Sequence, residues 1–204
     1  MNQENREQLL VRIRQVALNT GVNYVSIDRL CHKLEMTREE LFAYFKDEEE
    51  LMACVLKHER GQFEQIFNEV DFTGKNAIET LLSVSKEMSQ RFESISPKVT
   101  HGLIKYFPHI YEKHFDQRQM YIFERLKINL EEGIGQGLYR EDFNPELISR
   151  LYISRLIDLH NPELFLPEEF SYDIVYKEMI DNFIRGIVTP KGLEIFLQNK
   201  NQYV

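Results

Sequence analysis

The sequence predicts an all-α protein of one or two domains, and two observations carry that prediction. Apolar residues recur with the i, i+3, i+4, i+7 spacing of an amphipathic helix over most of the chain. Glycine and proline are sparse, with nine and six copies in 204 residues, so long helical patterns run without interruption. A hydrophobic content of 43% and a charged content of 28% are typical of a globular protein with a sizeable core.

The amino-terminal part of the chain predicts two helices before residue 35. The first carries one apolar stripe, formed by Leu9, Leu10, Ile13, Val16 and Ala17. Gly21 follows in the position expected for a left-handed helix end, and Ser26 is a good amino-terminal cap for the second helix. That second helix presents one apolar face through Ile27, Leu30, Cys31 and Leu34.

A third helix follows after a three-residue break. Leu41, Phe42 and Phe45 repeat the helical spacing, and the break is Glu35-Met36-Thr37. Thr37 and Glu40 have the spacing of a capping box, so a helix is expected to start at Thr37. Helix, short turn and helix is the layout of a DNA-reading helix-turn-helix. Asp47 is then placed to cap a fourth helix.

These motifs together resemble the tetracycline-repressor (TetR) family. The resemblance rests on Gly21, Val25-Ser26-Ile27-Asp28-Arg29-Leu30, Met36-Thr37, Leu41-Phe42-x-Tyr44-Phe45 and Glu49-Glu50-Leu51. It implies a three-helix DNA-binding domain, here residues 1–47. It also implies a helical carboxy-terminal domain for dimerisation and effector binding, here residues 48–204.

The resemblance assigns the contacts to DNA to the turn and to the third helix. The implied DNA-binding residues are Ser26, Thr37, Arg38, Glu39, Phe42, Tyr44 and Lys46. At the start of the third helix, Arg38 is placed to meet a guanine edge or a phosphate. Three features depart from the family pattern: Glu35 stands where glycine is usual, Arg38-Glu39-Glu40 where Lys-Gly-Thr or Lys-Lys-Thr is frequent, and Glu48 where lysine is frequent. Residues 26–46 sum to zero charge, so DNA binding and a lost DNA affinity both stay open.

The carboxy-terminal part predicts a long helix from Pro108 to about Gly133, in a segment rich in aromatic residues. The ring-bearing residues assigned to a ligand site are Phe92, Tyr106, Phe107, Tyr111, Phe115, Tyr121 and Phe123. An effector pocket lined with rings and ordinary helix packing are both consistent with this pattern. The effector is expected to be a small molecule whose identity the sequence does not give.

Two further helices begin at Pro145 and near Tyr172, and both are apolar around more of their circumference than a surface helix needs. A second buried face indicates a partner, and the resemblance implies a homodimer joined by a four-helix bundle. The residues assigned to that interface are Ile148, Tyr152, Leu156, Val175, Met179 and Phe183. A twofold dimer can place two recognition helices about 34–36 Å apart, in successive major grooves.

Several functions are disfavoured by the sequence. The net charge of −8 argues against a nucleic-acid coat protein. The two histidines His109 and His114 are five residues apart and do not share a helix face, so a metal site is not expected. We find no nucleophile-base pairing and no cofactor loop, and we expect neither catalysis nor a cofactor. Without a signal-peptide core or a membrane-length apolar run, the chain is expected in the cytoplasm.

The resulting expectation is a ligand-responsive, dimeric DNA-binding transcriptional regulator. The family resemblance favours a repressor that a small-molecule effector releases from double-stranded DNA. The alternative is a dimeric ligand- or protein-binding module whose helix-turn-helix has weak or lost DNA affinity.

Overall fold

The computed structural model describes residues 3–20, 27–92, 103–159, 164–166 and 169–203. Within these ranges the chain is helical, with a single isolated bridge between Tyr139 and Val188, and the all-α prediction is confirmed. The helices are α1 (Gln3–Thr20), α2 (Ile27–Leu34), α3 (Arg38–Phe42), α4 (Glu48–Glu69), α5 (Ala77–Phe92), α6 (Pro108–Gly135), α7 (Pro145–Asp158), α8 (Tyr172–Ile187) and α9 (Pro190–Tyr203). None of the described helices is both long enough and apolar enough to cross a membrane.

The chain divides into two compact units. The first is Met1–Glu64 with Ser94–Arg118, and the second is Gln65–Glu93 with Gln119–Val204. The division falls inside α4 and α6, each of which is one continuous helix. The assignment of separate functions to residues 1–47 and 48–204 stays a prediction.

The core of the first unit is the face that the helical spacing predicted. The helix-turn-helix buries Ile27, Leu30, Leu34, Leu41 and Phe45, each at most 4% exposed. These side chains join one cluster with apolar residues of α1 and α4, and with Leu103 from the helical turn at 103–106. Full burial of such a side chain stabilises the fold by roughly 1.5–3 kcal/mol, so this face fixes α2 and α3 as one body.

A buried polar chain organises the second unit. Tyr139 is 1% exposed, and its hydroxyl donates to Asn129 Oδ1 at 3.1 Å. Asn129 Nδ2 in turn donates to the carbonyl of Ala77 at 2.8 Å, which joins α6 to the start of α5. The Tyr139 ring lies against Gly133, where an added Cβ would stand 2.1 Å from it. Glycine at 133 is therefore required by close packing.

Two elements differ from the sequence-based expectation. The pattern through Phe45 predicts a longer third helix, but α3 ends at Phe42 with Ala43 as its cap, and Phe45 is buried outside it. Helix α9 was not predicted at all. Its signal was Thr189-Pro190, because Thr189 Oγ1 accepts from Gly192 N at 3.1 Å and proline suits the first helical position. The expected caps at Gly21 and Ser26 lie outside the described residues.

Candidate functional site

The turn between α2 and α3 is tight and left-handed. Glu35 has φ 56°, a conformation that glycine adopts without cost and that other residues adopt at roughly 1 kcal/mol. The Met36 amide donates to the Cys31 carbonyl at 3.0 Å and closes the turn. The departure from glycine at position 35 is thus a real conformational cost in this chain.

A complete capping box starts α3. The Glu40 amide donates to Thr37 Oγ1 at 3.1 Å, and the Thr37 amide donates to Glu40 Oε2 at 2.8 Å. This confirms the predicted helix start, and it explains Glu40 as a structural acid. It also means that the Thr37 hydroxyl is engaged by its own helix in this structure.

Arg38, the first residue of α3, is held by two carboxylates. Nη1 donates to Asp28 Oδ1 at 2.8 Å, and Nη2 donates to Glu48 Oε1 at 2.9 Å. The hydrogen bond to Asp28, followed by that to Glu48, raises the pKa of the guanidinium. The same guanidinium lies 5.6 Å from the centre of the Phe42 ring. We call Asp28, Arg38 and Glu48 the Arg38 clamp.

The other residues predicted to contact DNA are placed around this clamp, except Ser26, which lies outside the described residues. Glu39 is exposed on the first turn of α3. The Lys46 side chain is 86% exposed and lies 3.9 Å from the Asp47 carboxylate. Tyr44 is half-buried and packs against the core of the first unit. Thr37, Arg38, Glu39 and Lys46 are therefore all exposed.

The charge of this surface is negative. Eight acidic and four basic residues lie between residues 26 and 50. Some of the acids have structural roles, since Asp47 Oδ1 accepts from the Glu50 amide at 2.8 Å. Glu50 itself accepts from the Lys46 amide at 2.6 Å and from Arg6 Nη2 at 2.7 Å, which lowers its pKa in that order of cause. We call the exposed side chains of residues 27–50 the recognition surface.

A second feature lies between α7 and α8, within the second unit. A groove of about 720 Å³ runs along these helices and is lined mainly by apolar side chains. Five of the six residues predicted for a dimer interface line it: Ile148, Tyr152, Val175, Met179 and Phe183. Leu156 is half-buried and is not among the lining residues. The α7–α8 groove also includes Leu151, which is 53% exposed.

Polar side chains accompany the apolar floor of this groove. Arg155 and Asp158 come from α7, and Glu178 and Asn182 come from α8. Tyr152 is buried in the single chain, and its ring lies 4.8 Å from that of Phe183. Burial raises the pKa of the Tyr152 hydroxyl. An apolar strip with charged groups beside it is the composition of a protein interface with a dry core and a polar rim.

The aromatic residues predicted for a ligand site are divided between the two units. Tyr106, Phe107, Tyr111 and Phe115 belong to the first unit, and Tyr121 and Phe123 belong to the second. Tyr111 and Phe115 stack at 5.8 Å, whereas Tyr106 is 59% exposed beside Lys105. Tyr121 packs edge-on against Phe67 at 5.4 Å. The Phe92 side chain lies outside the described residues, and the assignment of this set to an effector stays a prediction.

Two buried side-chain nitrogens in the first unit, Arg6 Nε and His114 Nδ1, have no hydrogen-bond partner among the described residues. His114 Nδ1 is buried and makes no hydrogen bond to the residues that the structure describes. Burial, and then the charges of Arg118 and Arg60, lower the pKa of His114 to about 4. The imidazole is neutral at pH 7, and an unsatisfied buried nitrogen of this kind has a cost of roughly 1–3 kcal/mol. Sequence reasoning weighed His114 only as a metal ligand.

Sequence reasoning also missed the partners of Arg38. Asp28 and Glu48 each lie ten residues from Arg38, on other helices, so no helical spacing links them to it. Glu48 was singled out as an acid in an unusual place, but its pairing with Arg38 depends on how α4 begins beside α3. Within the described ranges, no group of three or more histidine, cysteine or acidic side chains is placed to hold a metal ion.

Several solved structures share this fold over nearly their whole length. CprB, a TetR-family protein from S. coelicolor A3(2), is 14% identical with a TM-score of 0.72, and the match covers 98% of each chain. A TetR transcription regulator from Haloarcula marismortui is 14% identical with a TM-score of 0.71, over 92% of this chain and 100% of that one. A TetR-family regulator from Cytophaga hutchinsonii is 16% identical with a TM-score of 0.65, over 93% and 98%.

Neither a protein-family profile nor a curated protein matches the sequence. The chain has the fold of the TetR family of transcriptional regulators, as its amino-terminal motifs predicted. At identities of 14–16% this likeness establishes the fold alone.

Proposed function

We propose that the protein is a ligand-responsive, dimeric, DNA-binding transcriptional regulator without catalytic activity. The observation that carries this proposal is the helix-turn-helix itself. Its apolar face is fully buried, its third helix starts at a complete capping box, and its outer residues stay exposed. A rigid, capped helix with exposed polar residues at its first turn is the arrangement that reads DNA in the major groove.

The contacts to DNA are assigned to the recognition surface. Lys46, with its side chain 86% exposed, is placed for a phosphate, and Arg38 for a base edge. Phe42, the last residue of α3, and Tyr44, two residues further on, belong to the predicted set, and Glu39 is available to accept from a cytosine amino group. Ser26 and Thr37 complete the predicted set.

The α7–α8 groove supports the homodimer. A twofold interface uses the same patch on both subunits, so exposed apolar residues of one groove are covered by those of the other. Leu151 and Ile174 are each 53% exposed, and Leu147 is 56% exposed, on the helices that form the groove. Covering such residues stabilises association by about 25 cal/mol for each Å² of apolar surface removed from water.

The effector is assigned to the predicted aromatic set of Phe92, Tyr106, Phe107, Tyr111, Phe115, Tyr121 and Phe123, and repression is assigned to the form without effector. A ligand weakens DNA binding only as far as it binds one arrangement of the dimer more tightly than another. Two observations in the first unit support a small-molecule ligand near α6: the stacked rings of Tyr111 and Phe115, and the unsatisfied Nδ1 of His114.

A specific observation also favours the second function, a dimeric ligand- or protein-binding module with lost DNA affinity. The recognition surface carries twice as many acids as bases, and the guanidinium of Arg38 is already paired with two of those acids. Phosphate neutralisation by lysine and arginine provides most non-specific affinity for DNA. A surface with this balance binds DNA weakly unless base contacts compensate.

The decisive experiment measures binding of the purified dimer to fragments of genomic DNA across a salt series from about 50 to 200 mM. If the protein is a regulator, it should bind only a subset of the fragments. The logarithm of its affinity for those fragments should fall linearly with the logarithm of the salt concentration. Lys46→Ala should weaken all complexes alike and reduce the salt slope by about one. Lys191→Ala, at an exposed position of α9, is the matched control and should change neither quantity. A folded dimer that retains no DNA at any salt would establish the second function instead.

A further inference from the structure

The Arg38 clamp joins the amino-terminal turns of three helices. Asp28 lies in the first turn of α2, Arg38 is the first residue of α3, and Glu48 is the first residue of α4. The clamp is exposed to solvent, because the side chains of Asp28, Arg38 and Glu48 are 83%, 49% and 43% exposed. It therefore lies within the recognition surface and not beneath it.

The clamp changes what Arg38 offers to DNA. A guanidinium has five N–H donors, and the two hydrogen bonds to Asp28 and Glu48 use one on each terminal nitrogen. Three donors are left for other acceptors. The net charge of the three residues together is −1, so the attraction of Arg38 for a phosphate is cancelled locally. Its geometry as a planar donor is kept and is fixed from two sides.

We propose that Asp28 and Glu48 are specificity-determining residues of the DNA-binding surface, which act by holding and neutralising Arg38. A free arginine at this position pairs with the phosphates of any sequence. A held and neutralised arginine gains little from phosphates, and it still donates to the two acceptors on the edge of guanine, O6 and N7. The clamp thus lowers non-specific affinity more than affinity for a site with guanine opposite α3. This inference rests on the proposed DNA-binding function.

Glu48→Gln tests the clamp, and Glu49→Gln is its matched control. Both substitutions remove one negative charge from the first turn of α4. Of the two glutamates, Glu48 is the one with a described contact to Arg38. On a mixed-sequence 40-base-pair duplex at 50 mM salt, Glu48→Gln should bind about tenfold more tightly, with a salt slope steeper by about one. Glu49→Gln should raise affinity by about twofold, through the general change in charge alone.

The effect must also pass through Arg38. In an Arg38→Gln background, adding Glu48→Gln should raise affinity no more than adding Glu49→Gln does. Selection from a duplex library with randomised positions gives the second readout. The wild type should enrich a fixed guanine that Glu48→Gln enriches less strongly, and Asp28→Asn should behave as Glu48→Gln does. A circular dichroism melt on each variant checks that it is folded at the temperature of the binding assay.

The outcomes separate this inference from the function on which it rests. Equal gains for Glu48→Gln and Glu49→Gln, in a wild type that binds DNA, overturn the clamp and leave the regulator in place. The clamp is likewise overturned if the tenfold gain persists without Arg38, or if the guanine preference is unchanged. Absence of binding by the wild type and by every variant, all folded and dimeric, overturns both proposals.

Discussion

The recognition surface and the α7–α8 groove differ in whether their side chains have partners within a single chain. On the recognition surface, several charged groups have partners within the chain: Arg38 with Asp28 and Glu48, Glu50 with Arg6, and Glu40 with the backbone of α3. In the groove, large apolar side chains stay in contact with water. Covering the groove with a partner therefore lowers the free energy. Binding of DNA to the recognition surface, by contrast, has to break contacts within the chain.

This difference predicts a strong dimer and a weakly binding, selective DNA surface. Covering apolar side chains breaks no existing contact within the chain, so we expect dimerisation at low protein concentration. On the recognition surface, ion pairs within the chain have to be replaced by ion pairs with DNA. At a solvent-exposed site an ion pair contributes only about 0–1 kcal/mol, so the net stabilisation from such a replacement is small. The two halves of the proposed function thus rest on different physics, and the following substitutions separate them.

The largest effect is expected from a charge in the groove. Met179→Asp places a carboxylate on the apolar lining of both subunits, and an unpaired charge buried in an interface costs roughly 3–5 kcal/mol. The dissociation constant should rise at least about a thousandfold, which sedimentation equilibrium measures. Leu197→Asp is the control, since Leu197 is 45% exposed on α9 and does not line the groove. Unchanged dimerisation of Met179→Asp would remove the groove from the interface.

The packing in the second unit is tested by Gly133→Ala. The new methyl group would overlap the Tyr139 ring, which is buried and tied through its hydroxyl to Asn129, so the ring cannot move aside. We expect a loss of about 3 kcal/mol and a fall in Tm of roughly 10 °C in a thermal melt. Gly135→Ala meets nothing within 4 Å and should be neutral or stabilising by up to about 1 kcal/mol. Equal Tm values for the two variants would show that the Tyr139 ring does yield to the methyl group.

The sequence predicted those parts of the molecule that depend on local patterns. The buried face of α2 and α3, the capping box at Thr37 and the start of α7 at Asn144-Pro145 all follow from spacing and cap chemistry within one turn. Excess apolar residues on two helices predicted a dimer interface, and five of the six residues assigned to it line the α7–α8 groove. The interface itself stays a prediction. Periodicity is enough for these features because it acts along a single helix.

The features that were missed all depend on which helices meet. The pairing of Arg38 with Asp28 and Glu48 joins three helices, and the overlap at Gly133 joins a helix to the segment after it. Neither has a sequence spacing that distinguishes it from chance. Charge counting showed that residues 26–50 are acidic, but it did not show which acid neutralises which base. The chemistry of the recognition surface is decided by that pairing.

His114 differs from the paired charged groups of the recognition surface, because its buried Nδ1 has no hydrogen-bond partner among the described residues. Its pKa is about 4 in the native state and 6.5 in an unfolded chain. Between these values the unfolded chain binds a proton that the native chain does not, so stability falls as pH falls from about 6.5 towards 4. Allowing for partial exposure, we expect His114 to lower the free energy of unfolding by about 2 kcal/mol between pH 7 and pH 4.5. Urea unfolding at the two pH values measures this loss.

The variant that removes this dependence is His114→Gln. Its loss between pH 7 and pH 4.5 should be smaller than that of the wild type by the same amount, about 2 kcal/mol. His109→Gln removes an exposed histidine from the same helix and should leave the wild-type dependence in place. If His114→Gln and the wild type lose stability in parallel, the imidazole is not the group that responds.

The smallest effect concerns the backbone beneath the recognition surface. Several charged groups of this surface are paired, but Glu35 at its turn holds a left-handed φ of 56°. Glu35→Gly removes the steric cost of that conformation and should raise the free energy of unfolding by about 0.5–1 kcal/mol, even though glycine gives the unfolded chain more freedom. Glu39→Gly makes the same chemical change on α3, where φ is helical, and should lower stability by up to about 1 kcal/mol. Chemical denaturation of the two variants gives opposite signs if strain at the turn is real. A loss of stability in both variants would mean that the Glu35 side chain stabilises the fold by more than its left-handed φ costs. Strain at the turn would then not be a net cost to this protein.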